Sequence, residues 1–157
     1  MKKNIFVSLV LTVAVMISCF SMPVHAAEEE ITTSTVIEYF DDGSYLITTI
    51  TEEVNNSRAT IKTGSKTHTY KNSDGETQWT YKVTGTFSYT GSSSTCTSVS
   101  DSYSISNNNW HISSHSCSKI GNTANGTVTM KYKVLGITTD TVSKNVTLTC
   151  SATGVLS

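Results

Sequence analysis

The sequence predicts an all-β fold, an antiparallel β-sandwich of about seven to nine strands that is immunoglobulin-like in its general architecture. Serine and threonine make up about a third of the chain, and threonine favours strands while serine favours turns. The single proline, Pro23, lies near the N-terminus, so the rest of the chain keeps the backbone N–H groups that a sheet needs. After Ala27, no window shows the apolar spacing of a helix.

The clearest strand pattern covers residues 79–89. Its alternate positions are apolar, aromatic or glycine, namely Trp79, Tyr81, Val83, Gly85, Phe87 and Tyr89. The aromatic members could form a platform for sugar rings, but strict alternation with Thr, Lys and Ser favours a core-facing strand. Because the segment is unusually long for one strand, we expect a bend or bulge at Gly85 where the strand changes partners.

Similar alternation marks further strands at residues 128–134 and 142–150, and weaker alternation marks strands at 99–105 and 110–112. Turn-forming residues stand between or beside them, at 74–75 (Asp-Gly), 106–109, 125–126 (Asn-Gly) and 138–140. One apolar face per strand favours two packed sheets, which is the basis for predicting a sandwich.

The N-terminal residues, 1–26, have the pattern of a signal peptide. A basic start precedes an apolar run over residues 5–20, and a small-x-small cleavage pattern ends at Ala26. We therefore expect a secreted protein without a membrane span. The alternative is a lipoprotein anchored through Cys19, which is disfavoured because Met16 stands where leucine is usual.

The predicted mature chain has two parts, an acidic N-terminal arm at 27–57 and a β-sandwich domain at 58–157. The arm has eight acidic residues and no Lys or Arg, whereas the domain has four acidic and nine basic residues. We expect a hairpin about Asp42-Gly43 that places Phe40 opposite Tyr45. Since this hairpin is apolar on both faces, it should complete the sheet of its own domain or pair with something else. The alternative is a pro-segment released by cleavage at Arg58.

Three cysteines remain in the mature chain, and an oxidising compartment should pair two of them. Cys150 shares its face with core residues, whereas Cys117 shares the parity of His111 and His115, which are expected to face solvent. The side on which Cys96 lies is undetermined without a bulge. We favour a Cys96–Cys150 disulfide, which leaves Cys117 as a free thiol that could join two molecules.

Short segments at 61–72, 85–89, 96–98, 110–113, 118–123 and 142–150 together resemble a family of small secreted proteins of Gram-positive bacteria, catalogued only as a domain of unknown function. The resemblance covers residues 58–157. It implies export, an all-β domain and a cysteine pair at Cys96 and Cys150, with Cys117 as a departure. It implies no catalytic or binding residue.

Catalytic and metal-binding patterns are weak. His111 and His115 would lie roughly 13 Å apart along a strand, too far for one zinc ion, and His68 is remote in sequence. No Gly-x-Ser-x-Gly motif occurs, and the acids of the domain fall mostly in turns. Asp101 is the exception, since it lies either on an outward face, which is the commoner case, or inside with a partner. We expect no enzyme, no metal, no cofactor and no nucleic-acid partner.

These observations favour a secreted, non-enzymatic module that binds an extracellular partner, with a cell-wall polymer or a glycan as candidates. A dimer through Cys117 is a further expectation. The alternative function is a toxin or bacteriocin-like protein whose acidic pro-segment masks a basic domain until cleavage.

Overall fold

The computed structural model describes residues 30–53 and 60–157, and all regular structure in these two ranges is β. The strands are β1 (Glu30–Tyr39), β2 (Tyr45–Glu53), β3 (Ile61–Lys71), β4 (Thr77–Tyr89), β5 (Ser94–Ile105), β6 (Trp110–Ile120), β7 (Thr123–Val134) and β8 (Ile137–Thr149). The all-β prediction is confirmed. Ala26, Cys19 and Arg58, with the processing and lipidation predicted at them, lie outside the described residues.

The strands form two antiparallel sheets, a five-stranded sheet in the order β1-β2-β3-β4-β5 and a three-stranded sheet in the order β6-β7-β8. Each strand pairs with its neighbour in the chain, so the chain crosses between layers at the loop that joins β5 to β6. An isolated bridge between Cys150 and Leu156 adds a short C-terminal segment beside β8. The predicted β-sandwich is therefore confirmed.

One core fills the space between the layers. Trp79, Tyr81, Val83 and Phe87 on β4 are fully buried, and they meet the inward residues of β7 and β8, which include Val128, Met130, Val146 and Leu148. The core interpretation of the β4 aromatics is thus confirmed for these three aromatic residues, while Tyr89 is half-buried. The core consists of alternate residues because a strand turns every second side chain to the same face.

Gly85 does not mark a change of partner, because β4 pairs with β3 and β5 along its length. A Cβ at Gly85 would collide with the Phe87 ring, so the glycine makes room for that buried side chain. The bulge lies one residue further along, where Thr86 faces Ser98 and Phe87 faces Cys96. Thr97 is the extra residue on β5, and it brings Cys96 into the core.

The acidic arm is an integral part of the larger sheet. β2 pairs with β3, and its residues Leu46 and Ile50 belong to the core. The hairpin register differs from the prediction, since Tyr39 rather than Phe40 faces Tyr45. The reason is a longer loop, in which Gly43 N–H donates to the Phe40 carbonyl and Gly43 has a φ of 81°.

Two other predicted turns lie inside strands. Asn125 and Gly126 belong to β7, and the β7–β8 turn is formed by Leu135 and Gly136, with φ values of 51° and 82°. Gly126 is required for packing, because an added Cβ would collide with Val83 and with the Tyr81 hydroxyl. The predicted break at 138–140 likewise falls within β8.

The two sides of the sandwich differ. On one side β5 contacts β6, where Cys96 N–H donates to the Gly121 carbonyl at 2.8 Å and the Lys119 amine donates to the Thr97 carbonyl. On the other side, β1 and β2 extend past β8. Within the described residues, no helix has the length and hydrophobicity needed to cross a membrane.

Candidate functional site

The main candidate site is a cleft at the end of the sandwich where the β1–β2, β3–β4 and β5–β6 loops meet the start of β8. We call it the loop-end cleft. It consists of two adjoining cavities of about 300 and 290 Å³ that share Asp42, Ser44, Tyr70 and Asp140. The other lining residues are Phe40, Asp41, Val142, Asn72, Ser73, Gln78, Asn107, Trp110 and Tyr132.

An aromatic cluster forms the floor of the cleft. Tyr70 stacks on the core residue Trp79 with ring centroids 5.2 Å apart, and Trp110 meets Tyr70 edge-on at 5.4 Å. Tyr132 packs against Trp110 at 5.3 Å, and Phe40 packs against Tyr70 at 6.0 Å. The aromatic residues of this floor are therefore held in place by the core residues packed behind them.

A hydrogen-bonded chain positions the carboxylate of Asp42 at the mouth of the cleft. Asp42 Oδ1 accepts from the Ser44 hydroxyl at 2.6 Å and from the Ser44 N–H at 3.0 Å, and the Tyr70 hydroxyl donates to Ser44 Oγ at 2.9 Å. The hydrogen bonds from Ser44 lower the pKa of Asp42. Burial raises the pKa of Tyr70, so its hydroxyl keeps its proton at neutral pH. The loop-end cleft thus carries a fixed negative charge beside its aromatic floor.

The side of the loop-end cleft formed by the β3–β4 loop, the start of β4 and the β5–β6 loop is rich in amide side chains. Asn107 Nδ2 donates to Gln78 Oε1 at 2.7 Å, and Gln78 Nε2 donates to the Glu76 carbonyl at 3.1 Å. The Asn109 amide donates to the Tyr132 hydroxyl at 3.2 Å, which orients that ring. On the β8 side, Asp140 adds a second carboxylate, whose Oδ1 accepts from the Thr141 N–H at 2.6 Å.

This combination suits a small polyhydroxylated ligand. Carboxylates accept hydrogen bonds from hydroxyl groups, and amides both accept and donate them. The aromatic surface open to a sugar ring is that of the half-buried Phe40 and Tyr132, since Tyr70 and Trp110 are only 6% and 5% exposed. Each cavity is at the lower end of the range of about 300–1,000 Å³ found for small-molecule sites, so one or two sugar units would fit.

Sequence reasoning did not find the loop-end cleft. The sequence feature that marks the cleft is a polar turn residue close to an aromatic one. Asp42 lies two residues after Phe40, and Asn107 lies three residues before Trp110. Such residues are expected at turns for conformational reasons alone, so the pattern did not distinguish a binding site from a turn.

A second polar cluster joins the two sheets where β5 meets β6. His115 Nδ1 lies 2.7 Å from Asp101 Oδ2, and the Tyr81 hydroxyl donates to the same oxygen at 2.9 Å. The Cys117 thiol donates to Asp101 as well. Asp101 is thus the inward acid with partners, the less favoured of the two sequence-based alternatives.

The expectation that Cys117 shares a solvent-facing side of β6 with His111 is wrong, whereas His115, whose side chain is 40% exposed, does reach solvent. A bulge between Ile112 and Ser114 shifts the register of β6, so that His115 lies opposite the inward Val128 and Cys117 opposite Gly126. His111 precedes the bulge and stays exposed on the outer face. An extra residue reverses the facing of all later side chains, which alternation counted along the sequence cannot detect.

The cluster is built for structure rather than for nucleophilic chemistry. Burial raises the pKa of Asp101, but the hydrogen bonds from His115, Tyr81 and Cys117 outweigh it and hold that pKa below its ordinary value. Burial and the hydrogen bond to Asp101 raise the pKa of Cys117. A thiol that serves as donor to a carboxylate is a poor nucleophile, since the thiolate is the reactive form.

Cys96 and Cys150 are both buried in the core, and the three cysteines of the described ranges are free thiols. The expected Cys96–Cys150 disulfide is therefore not formed there. Each buried thiol donates to a backbone carbonyl, Cys96 to Ser98 at 3.2 Å and Cys150 to Ser151 at 3.5 Å.

The three histidines of the described ranges occupy separate places, with His68 in the groove between β3 and β8, His111 on the outer face and His115 in the β5–β6 cluster. In the described ranges, no three His, Cys, Asp or Glu side chains are grouped so that they could hold a metal ion.

Comparison of the chain with protein-family models, with curated proteins and with solved structures finds no match.

Proposed function

We propose that this protein is a secreted, non-enzymatic β-sandwich module that binds an extracellular glycan in the loop-end cleft. The observation that carries the proposal is the Asp42 carboxylate, which Ser44 and Tyr70 hold at the mouth of an aromatic cleft. The export signal at residues 1–26 supports an extracellular location.

The charge of the cleft narrows the ligand class. Asp41, Asp42 and Asp140 make the loop-end cleft acidic, so a neutral or amino-sugar glycan is favoured over an anionic wall polymer. The basic residues of the domain do not form an opposing anion site, because they are distributed along the strands, and Lys62, Lys66 and Lys144 are engaged with partners of the same chain.

The toxin alternative is not supported by a specific contact. Release of residues 27–57 would remove Leu46 and Ile50 from the core and Phe40 from its contact with Tyr70. We therefore propose that the acidic arm stays with the domain after export.

The test is binding of the secreted chain to an array of neutral, amino-sugar and anionic glycans, followed by calorimetry on the ligands found. Asp42→Asn keeps the size of the side chain but removes its charge, and it should weaken binding about 10-fold or more. Tyr132→Ala should do the same by removing part of the aromatic wall.

Glu52→Gln is the matched control, because it also removes one negative charge but lies at the other end of β2, in an ion pair with Lys62. It should leave the affinity unchanged. No binding to any glycan, or equal loss in Asp42→Asn and Glu52→Gln, would contradict the proposal.

A further inference from the structure

The two layers of the sandwich have unequal widths. The larger sheet has five strands and the smaller has three, and the layers are joined where β5 contacts β6. The extra width of the larger sheet therefore lies at the side away from the β5–β6 contact, where β1 and β2 extend beyond β8. The inner face of these two strands borders a groove of about 570 Å³, lined by Ser34, Val36, Thr48, Ile50, Lys66, His68, Asn145, Thr147, Leu156 and Ser157.

The groove has a partly apolar floor and unusual polar contacts. Val36 is 60% exposed although it points to the inner face of the sheet, where Ile50 and Leu156 also lie. His68 is only 7% exposed, and its Nδ1 has no hydrogen-bond partner. Lys66 Nζ donates to the Thr147 carbonyl at 3.0 Å, so a side chain occupies a position that an adjacent strand would fill with a backbone N–H.

The edge of β8 already accepts an antiparallel strand at one end. Thr149 and Ser157 exchange two backbone hydrogen bonds, each of 2.9 Å, and Cys150 bridges to Leu156. Among the described residues, none pairs as a strand with this edge between Ile137 and Thr147. That part of β8 and the free edge of β1 are open to strand addition.

We propose that a second copy of this chain fills the groove, forming a two-fold symmetric dimer in which β1 of each copy pairs with β8 of the other. Each layer would then be a continuous sheet, made of the five strands of one copy and the three of its partner. β1 and β2, which no strand of the described residues faces within one copy, would face β2 and β1 of the other copy.

The strand directions permit this arrangement. Neighbouring strands within each sheet are antiparallel, and the contacts of Cys96 with Gly121 and of Asp101 with His115 show that β5 and β6 also run in opposite directions. β1 and β8 are therefore antiparallel to each other within one chain. A two-fold axis parallel to the strands exchanges the layers without changing strand direction, so β1 would add antiparallel to the partner's β8. The axis passes between the two β1–β2 pairs. Because the β5–β6 side is already joined, the assembly closes at two copies.

The side chains also favour β8 over a second β1 as the partner of β1. β1 exposes Ile31 and Val36 on the inner face of the sheet, and the dimer would cover both. β1 carries Glu38, whereas β8 carries Lys144, and these two form an ion pair at 3.1 Å within one chain. Pairing two β1 edges would bring like charges together, while pairing β1 with β8 brings opposite charges together.

The test is sedimentation velocity of residues 27–157 carrying Cys117→Ser, over a range of concentrations. We expect a dimer. Val36→Glu places a carboxylate at the centre of the proposed interface and should raise the dissociation constant by about 100-fold or more. Since Val36 is 60% exposed in one copy, circular dichroism of the variant should remain that of the folded chain.

Thr35→Glu is the matched control, because it adds the same charge to the same strand on the outer face, and it should leave the dimer intact. Hydrogen exchange at residues 140–147 should slow as the concentration rises through the dissociation constant. The proposal would be overturned by a monomer at all concentrations or by a dimer that responds equally to both variants. It would also be overturned by a dimer that forms with Cys117 present but not with Cys117→Ser. The last result would instead support pairing through Cys117.

Discussion

His115 Nδ1 lies 2.7 Å from Asp101 Oδ2, and this contact connects β6 of the smaller sheet to β5 of the larger one. The same carboxylate oxygen accepts a hydrogen bond from the buried Tyr81 hydroxyl. The contact therefore joins the layers at the point where the chain has just crossed from one to the other.

Asp101→Ala should lower the free energy of unfolding by about 1–3 kcal/mol, because Tyr81 and His115 both lose an acceptor in a partly buried place. Asp101→Asn keeps an acceptor oxygen and should cost less. Urea denaturation measures both. Asp74→Ala, which removes an exposed acid from the β3–β4 turn, is the control, and an equal cost at position 74 would show that the cluster adds nothing.

Stability should fall as the pH drops from about 6.5 towards 4, and His68 should account for part of the fall. Burial, then the charges of Lys144 on β8 and Lys66 on β3, lower the pKa of His68 from 6.5 to about 4, against an opposing effect of Glu38 on β1. In this pH window the unfolded chain binds a proton that the folded chain does not, so stability rises with pH.

The contribution of His68 is on the order of 2–3 kcal/mol over that window. His68→Leu should flatten the curve of unfolding free energy against pH, whereas the exposed His111→Gln should leave the curve as it is. Denaturant titrations at several pH values would provide both curves. Parallel curves for the wild type and His68→Leu would refute the assignment.

Gly126→Ala should destabilise the fold by about 1–3 kcal/mol, because the added methyl group must displace Val83 or the Tyr81 hydroxyl in a packed core. Thr127→Ala, at the next and exposed position of β7, should change stability little. Thermal unfolding of the two variants is the measurement. If Gly126→Ala left the thermal midpoint unchanged, the two sheets would be less tightly packed at this position than the structure shows.

The structure has Cys96 and Cys150 as free thiols, whereas the sequence predicts a disulfide between them, and mass spectrometry decides between the two. Protein collected from culture medium should carry one disulfide, and peptide mapping should join Cys96 to Cys150. Cys117 should react with a thiol reagent in the folded protein, but more slowly than a free cysteine, since its pKa is raised. A disulfide that includes Cys117 would contradict both expectations.

The loss of stability on reduction gives a second measure of that disulfide. Closing the loop from Cys96 to Cys150 should add roughly 3–4 kcal/mol to the free energy of unfolding in the loop-entropy model. Reduction should therefore lower the thermal midpoint of the secreted chain markedly, while Cys117→Ser should leave it unchanged.

The fold class followed from local patterns because a strand with one buried face repeats every two residues, as it does from Trp79 to Phe87. The same local rules misplaced Asn125-Gly126, since glycine serves both turns and close packing, and only the contact with β4 shows which applies. Turn residues near Asp42 likewise did not reveal a cleft, because the cleft exists only where three loops converge.

By itself, the sequence determined that the chain is all-β, that Trp79, Tyr81 and Phe87 form the core, and that the segment before Ala27 resembles an export signal. The tertiary structure decided on which face of β6 His115 and Cys117 lie, because the bulge on β6 reverses the alternation from which facing is inferred. It also decided that Asp101 points inward, because its partners Tyr81 and His115 come from other strands. It also decided that one layer is wider than the other, a property that arises from pairing between strands and that no single strand encodes.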